Sequence, residues 1–209
     1  LGPGGISNSN AVSFDAKLID SSHLGFLDPV ATPEGERTGV TLHLGLGVSK
    51  KGKEASIQVY DVKAGKTVDK TPVELAQSVI AFPDQYKWDK GTPKALSKSV
   101  TASSAKDGDP MLVRASEVDY ILPSTKSMFS LTANLIPFLA STQANRAEMA
   151  TRHLEQSIIL KNREQPLVQT HVGDASKNTW EKFVGTFSSH TSPVDGTVTS
   201  VDKDAIRVK

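Results

Sequence analysis

The sequence predicts a β-rich α+β fold, in which a small β module is inserted into a larger scaffold that also carries one helical pair. Short stretches of alternating apolar residues, separated by Gly, Pro and Ser, fill residues 49–122. Helical spacing of apolar residues is confined to residues 127–139 and to the stretch that follows them. Strand-like patterns return after Pro166. Together these observations predict more strand than helix.

The same patterns divide the chain into four segments, with bounds at 1–48, 49–122, 123–165 and 166–209. In the first segment, residues 13–19 predict a short strand. Apolar residues then alternate from 40 to 48, which is the period of a half-buried strand. Gly45 and Gly47 weaken that strand, so a short helix stays open as the alternative.

Strands dominate the second and fourth segments. Residues 55–62 alternate as a strand, and three further short elements follow at 74–81, 100–102 and 111–115. In the last segment we predict three strands, at 184–187, 196–200 and 205–208. The last two are close enough in sequence to form a hairpin.

The third segment carries the helical pair. A helix is predicted across residues 127–139, with Pro137 interrupting or ending it. Ser141 or Thr142 can cap a second helix, because their hydroxyls accept from free N–H groups at a helix start. One flank of the second helix is made of Arg146, Met149 and His153.

Composition bounds the function. The 209 residues are 37% hydrophobic and 22% charged, which suits a folded chain with a real core. The net charge of +1 lacks the basic excess of a freestanding nucleic-acid binder, so any contact with nucleic acid belongs to a larger assembly. The absence of Cys excludes disulfides, thiolate metal sites and a Cys nucleophile. The opening turn, residues 1–5, has no initiator Met, so we expect a cut, processed or split polypeptide.

General catalytic motifs are absent from the sequence. It has no phosphate-binding Gly-rich loop, no His-Glu-x-x-His and no Asp-x-Asp-x-Asp cluster, and its five His are scattered, so we predict no metal site. Asp107-Gly108-Asp109 is interpreted as a surface turn, with cation binding as the alternative. Trp88 and Trp180 are interpreted as packing residues, with base stacking as the alternative.

Five motifs are informative when they are taken in order. They are Leu1-Gly2-Pro3-Gly4-Gly5-Ile6, Asp28-Pro29-Val30-Ala31-Thr32-Pro33-Glu34-Gly35, Val118-Asp119-Tyr120, Leu135-Ile136-Pro137-Phe138-Leu139 with Ala144-Asn145-Arg146-Ala147, and Pro166-Leu167-Val168-Gln169-Thr170. In order and spacing they resemble the second-largest (β) subunit of multi-subunit DNA-dependent RNA polymerases. The second motif resembles the family's Cys-Pro-Ile-Glu-Thr-Pro-Glu-Gly, from which it departs at Asp28, Val30 and Ala31.

The resemblance assigns an expected role to each segment. It implies that residues 1–48 hold the fork loop and the Thr-Pro-Glu-Gly segment of the β core, and that 49–122 are a small β-rich insertion. Residues 123–165 would be the helical active-site segment, and 166–209 the start of the following β-rich core domain. The implied function is a contribution to template-directed RNA synthesis, by the fork loop and by contacts to the nucleoside triphosphate.

Arg146 and Asn145 are the candidate catalytic residues by this resemblance. Arg146 is expected to contact the triphosphate of the incoming nucleotide and stabilise the pyrophosphate leaving group, with Asn145 supporting the same site. Phosphoryl transfer depends on positive charge placed against phosphate oxygens, and the planar Arg fork stays charged and binds two oxygens at once. A solvent-facing Arg on a helix flank is the alternative.

The resemblance also implies contacts with substrate and nucleic acid. Glu34 and Pro33 are expected beside the RNA 3′ end and the incoming nucleotide, with a plain tight turn as the alternative. The residues expected to contact nucleic acid are Gln156, Arg152, Ser7 and Asn8. The fork-loop sequence at residues 7–10 is uncharged, so its expected role is steric.

The implied cofactor is Mg²⁺, held by the β′-type subunit and not by this chain, so the chain alone is expected to be inactive. The implied partners are the remainder of β, the β′-type chains, DNA template, nascent RNA and nucleoside triphosphates. Charged family positions are often replaced here, which favours a divergent bacteriophage-encoded split β subunit. The sequence holds no apolar run of about 18 residues, so no membrane span is predicted. The expected location is the cytoplasm, meaning the host-cell cytoplasm or a virion if the chain is phage-encoded. A non-catalytic nucleic-acid-binding module and a structural virion protein are the alternatives.

Overall fold

The computed structural model describes residues 4–18, 23–33, 37–104, 110–158, 160–162, 164–171, 178–188 and 192–209. The chain divides into two compact units, Leu1–Arg163 and Glu164–Lys209. Strands outnumber helices among the elements, so the β-rich α+β prediction is confirmed.

The strands of the first unit are β1 (Val48–Lys51), β2 (Glu54–Asp61), β3 (Lys66–Lys70), β4 (Val79–Ala81), β5 (Tyr86–Asp89), β6 (Thr92–Ala95), β7 (Ser99–Ser104), β8 (Met111–Arg114) and β9 (Tyr120–Ile121). Its helices are α1 (Phe14–Lys17), α2 (Pro72–Leu75), α3 (Thr125–Met128), α4 (Leu131–Asn134) and α5 (Ala144–Glu155). Seven strands form one sheet in the order β1-β2-β9-β4-β7-β8, with β3 also paired to β2. Its pairs are antiparallel except β4 with β9, and β5 and β6 form a separate hairpin.

Core residues lie on both faces of the middle strands of the sheet. Along β2, Ile57 and Val59 enter one core cluster and Tyr60 enters the other, as the two-residue period of a strand requires. The first cluster also holds Phe26 and Met128, which come from outside the sheet. The second includes the β5–β6 hairpin, whose Trp88 packs edge-on against Tyr60 at 5.6 Å between ring centroids. The sheet is therefore the platform on which the flanking segments rest.

Two predictions for the first 48 residues differ from the structure. Residues 13–19, predicted as a strand, contain the helical turn α1, with Phe14 largely exposed. No strand of the described sheets pairs with it, so its backbone hydrogen bonds close locally. The alternation from 40 to 48 gives neither a continuous strand nor a helix. A strand begins only at Val48, because the two glycines before it serve a close backbone contact.

The predicted long helix is broken into two. Phe129 is extended, and Ser130 caps α4 by accepting the N–H of Ala133 at 3.2 Å. A Ser hydroxyl that satisfies helix-start N–H groups favours a new start over continuation. The second helix also starts later than predicted, after Gln143, because the Thr142 hydroxyl donates to the carbonyl of Phe138 at 2.9 Å and does not cap it.

The second unit contains α6 (Trp180–Ser188) and the antiparallel pair β10 (Val198–Val201) and β11 (Ile206–Val208), which confirms the predicted hairpin. The predicted strand at 184–187 is wrong, because these residues lie in α6. Edge-on ring contacts at helical spacing, 5.6 Å for Trp180–Phe183 and 5.1 Å for Phe183–Phe187, stabilise the helix instead. Among the helices of the described residues, none has the length and apolar character needed to cross a membrane.

Candidate functional site

Asp28 organises the turn that leads to Pro33. Its side chain is fully buried, and one carboxylate oxygen accepts the N–H groups of Val30 at 2.7 Å and Ala31 at 3.1 Å. The other oxygen accepts the N–H of Ser130 at 2.6 Å. The Thr32 hydroxyl closes the turn by donating to the Asp28 carbonyl at 2.6 Å. The turn is therefore rigid and attached to the start of α4.

Residues 44–48 lie along the chain that leads into α4. The N–H groups of Leu46 and Gly47 donate to carbonyl oxygens in residues 127–129 at 2.8 Å each, and that of Gly45 donates to Phe26 at 2.9 Å. A Cβ on Gly45 would come within 2.9 Å of two main-chain oxygens in residues 127–129. Glycine is required here because the backbones approach too closely for a side chain.

Helices α4 and α5 are in contact, and each carries a buried Ala. These residues are Ala133 on α4 and Ala147 on α5. At the end of α5, Glu155 Oε1 accepts the Thr132 hydroxyl at 3.4 Å and lies 3.5 Å from His43 Nδ1. These polar contacts hold the C-terminal end of α5 and leave its N-terminal end open.

The start of α5 is exposed and electropositive. Gln143 makes no side-chain cap, and the first turn has no acidic residue. Asn145 and Arg146 stand in this turn with exposed side chains, and Arg146 forms no ion pair within the described ranges. Free N–H groups and the helix dipole attract anions at a helix start, and a guanidinium adds to that attraction. The arrangement can bind an anion with several oxygens, such as a phosphate chain.

A strained turn precedes this helix. Phe138 has a φ of 57°, in the left-handed region, and its side chain is 75% exposed. Its carbonyl accepts the N–H of Ser141 at 2.9 Å as well as the Thr142 hydroxyl. These bonds hold an aromatic residue in a conformation that costs backbone energy, which fixes the direction in which the chain enters α5.

Comparisons of the sequence with known proteins show the family of this chain. Residues 1–48 match the family model described as RNA polymerase Rpb2, domain 3. The β subunit of DNA-directed RNA polymerase from Mycoplasmopsis pulmonis is 32% identical over 223 aligned residues, covering 100% of this chain and 17% of the relative. The chain belongs to the RNA polymerase β-subunit family. The β subunits of Deinococcus radiodurans and Thermus aquaticus, 31% and 29% identical, also match all of this chain, which spans 17% and 18% of their lengths.

Two of the predicted site residues of this β-subunit segment, Asn145 and Arg146, lie on the exposed start of α5. Two more, Arg152 and Gln156, lie toward its other end. Arg152 is ion-paired with Glu148 one turn earlier, and the exposed Gln156 ends the helix, its N–H donating to the Arg152 carbonyl at 3.1 Å. A guanidinium paired on its own helix is partly neutralised before any phosphate approaches it.

The remaining predicted residues are more scattered. Pro33 is buried at the end of the turn held by Asp28, whereas Glu34 lies outside the described residues. Ser7 and Asn8 are exposed, and the Asn8 side chain accepts the N–H of Ala11 at 2.9 Å, which makes a local turn. Asp107-Gly108-Asp109 also lies outside the described residues. Across the part of the chain that is described, no group of three or more His, Asp or Glu side chains could hold a metal ion.

The sequence prediction missed the role of two carboxylates. Asp28 had a visible signal, since Asp before a Pro commonly accepts N–H groups two and three residues on. Asp119 joins β9 to its neighbours by accepting Lys63 Nζ at 2.6 Å and the N–H of Val79 at 3.1 Å. Burial acts to raise the pKa of Asp119, but these hydrogen bonds outweigh it and leave the pKa below its ordinary value.

Proposed function

We propose that this β-subunit segment forms one wall of the nucleotide site of a DNA-dependent RNA polymerase, with Arg146 contacting the triphosphate. The observation that carries the proposal is the start of α5, where an exposed Arg without an ion pair in the described ranges stands on an uncapped helix. Asn145 beside it would donate to the same phosphate oxygens. Binding of this kind lowers the barrier by holding charge that develops on the leaving pyrophosphate.

The position of the Arg supports a ligand more than a structural role. A positive charge in the first turn of a helix costs stability, typically about 0.3–1 kcal/mol, unless an anion is bound nearby. Within the described ranges, Arg146 forms no ion pair that would offset this cost. Residues that break a local rule without compensation are typical of functional sites.

Other parts of the assembled enzyme complete the proposed reaction. Mg²⁺ held by the β′-type subunit would align the RNA 3′ hydroxyl with the α-phosphate, and the chain alone would be inactive. Pro33 and Glu34 would lie beside the RNA 3′ end, and Gln156 and Arg152 would contact nucleic acid. Ser7 and Asn8 would act sterically in the fork loop where the DNA strands separate.

The test is RNA synthesis by the polymerase reconstituted with Arg146→Ala. We expect kcat/KM for the nucleotide to fall by about tenfold or more, through a higher KM and a lower kcat, because a charged phosphate contact is lost. Arg146→Lys keeps the charge but loses the planar fork, so its kcat/KM should lie between that of Arg146→Ala and that of the natural chain. Arg114→Ala is the matched control, because that exposed Arg is ion-paired with Glu117 in its own turn. Unchanged kinetics for Arg146→Ala would remove the residue from the site.

A further inference from the structure

Asp28 is the one buried Asp, Glu, Lys or Arg side chain in the described part of the chain. A buried carboxylate costs stability unless its oxygens are hydrogen-bonded, and both oxygens of this one are. One serves the local turn and the other reaches Ser130, 102 positions further along the chain. The second bond is the unusual one, because the local turn alone needs only the first oxygen.

From Ser130 the contacts continue to Arg146. Ser130 caps α4, α4 packs against α5, and Arg146 stands in the first turn of α5, next to the buried Ala147. The described chain offers Asp28 no other long-range side-chain bond. The carboxylate therefore joins the Thr32-Pro33 turn directly to the start of α4.

We infer that Asp28 is a positioning residue that fixes the α4–α5 pair, and with it Arg146, against the Thr32-Pro33 turn. The inference rests on the proposed function, since it assumes that Arg146 binds the triphosphate. The family motif that this stretch resembles has Cys at the same place. A thiol is a weak acceptor, so the carboxylate link is a feature of this chain and not of the motif.

Two substitutions break the link from opposite sides. Asp28→Asn keeps one oxygen for the local turn but turns an N–H₂ group toward the N–H of Ser130, so that two donors face each other. Ser130→Pro removes the N–H itself. Its backbone allows Pro, because Ser130 has a φ of −65° and the preceding Phe129 is extended. Ser130→Pro also loses the hydroxyl that caps α4, so Ser130→Ala, which loses the hydroxyl and keeps the N–H, is its control.

Asp61→Asn is the matched control for Asp28. Its carboxylate also accepts two nearby N–H groups, from Lys63 at 3.0 Å and Ala64 at 2.8 Å, and it has no hydrogen bond to a distant residue in the described chain. The same chemical change is therefore made in a similar local turn without the long-range link. A general effect of Asp→Asn would appear in both variants.

The measurements are made on the reconstituted polymerase. We expect Asp28→Asn to raise the nucleotide KM by about tenfold with a smaller change in kcat, since a mispositioned Arg146 binds phosphate less well. Hydrogen exchange at the Ser130 amide should become faster in the same enzyme. Ser130→Pro should give a similar KM. The KM of the variant with both changes should not exceed the higher of the two single-variant KM values, because one bond cannot be lost twice. Asp61→Asn should leave KM unchanged, and Ser130→Ala, which keeps the N–H and loses only the cap, should raise KM less than Ser130→Pro does.

A double-mutant cycle with Arg146→Ala decides whether Asp28 acts through Arg146. The inference predicts that Asp28→Asn raises KM no further once the guanidinium is gone. Fully additive effects, or Asp28→Asn kinetics equal to those of Asp61→Asn, would overturn it and leave the proposed function standing. If Arg146→Ala alone has no effect, the proposed function fails first and the inference falls with it.

Discussion

The contact between residues 44–48 and the chain entering α4 can be tested by one added methyl group, Gly45→Ala. The new Cβ would lie 2.9 Å from the main-chain oxygens of Ser127 and Met128 and 3.2 Å from that of Gly25. Backbone on every side cannot move aside as the end of a flexible side chain would. Residues 44–48 must therefore move away from residues 127–129.

The size of the effect follows from these contacts. Overpacking of a tight site costs about 1–3 kcal/mol, and each main-chain hydrogen bond that lengthens contributes about 1 kcal/mol more. Two such bonds, from the N–H groups of Leu46 and Gly47, hold the contact, and the N–H of Gly45 donates to Phe26 beside it. We expect a loss of about 2–4 kcal/mol in the free energy of unfolding, which lowers Tm by about 5–15 °C in a chain of this size.

The assay is thermal and urea unfolding of the chain, with Gly185→Ala as the matched control. A Cβ at Gly185 meets nothing within 4 Å, and the residue lies inside α6. That substitution should stabilise its helix by about 0.5–1 kcal/mol. A Gly45→Ala variant as stable as the natural chain would refute the close approach of the two segments.

Two further predictions concern Asp119 and Phe138. Because the folded pKa of Asp119 lies below its ordinary value of 3.8, its hydrogen bonds to Lys63 and Val79 stabilise the fold above that pH and the contribution is lost as the pH falls through the folded pKa. Asp119→Asn should therefore cost about 1 kcal/mol at neutral pH and progressively less below pH 3.8, in urea unfolding across pH; a constant difference would contradict this. Phe138 has a φ of 57°, so Phe138→Gly should have a free energy of unfolding about 1 kcal/mol higher than Phe138→Ala, although Ala is usually the more stable of the two. Equal stability of the two variants in urea unfolding would show that the turn is unstrained.

Elements with a strong local pattern were predictable from the sequence. Residues 55–62 alternate cleanly, and β2 forms there because both of its faces meet a core. The β10–β11 hairpin was also predictable, because its two strands are close in sequence and pair directly. In these cases the residue period alone carries the information.

The errors come from contacts that outweigh the alternation or spacing of apolar residues on which the predictions were based. The 127–139 helix breaks at Ser130, whose N–H is held by a carboxylate 102 positions earlier. Val184, Thr186 and Phe187 have strand-forming side chains, but the ring contacts of Phe183 with Trp180 and Phe187 stabilise a helix. At Ser130 a tertiary contact overrides the local preference, whereas at 184–187 the preference is overridden by ring contacts within the helix itself.

The candidate site was predictable only in part. Arg146 and Asn145 came from a motif, and the structure adds that they begin an uncapped helix with exposed side chains. Asp28 stood in another motif, yet its bond to Ser130 could not be deduced, because nothing in the sequence pairs positions so far apart. Sequence motifs mark the groups that meet a ligand more readily than the groups that hold them in place.

The central claim, that the Arg146 guanidinium faces phosphate, is tested most directly by the reverse reaction, in which the reconstituted polymerase consumes free pyrophosphate. Pyrophosphate carries no base or sugar, so its KM reports the phosphate contact alone. Arg146→Ala should raise this KM by about tenfold, in parallel with the nucleotide KM, while the Arg114→Ala control leaves both unchanged. A nucleotide KM that rises while the pyrophosphate KM stays at its natural value would contradict the claim.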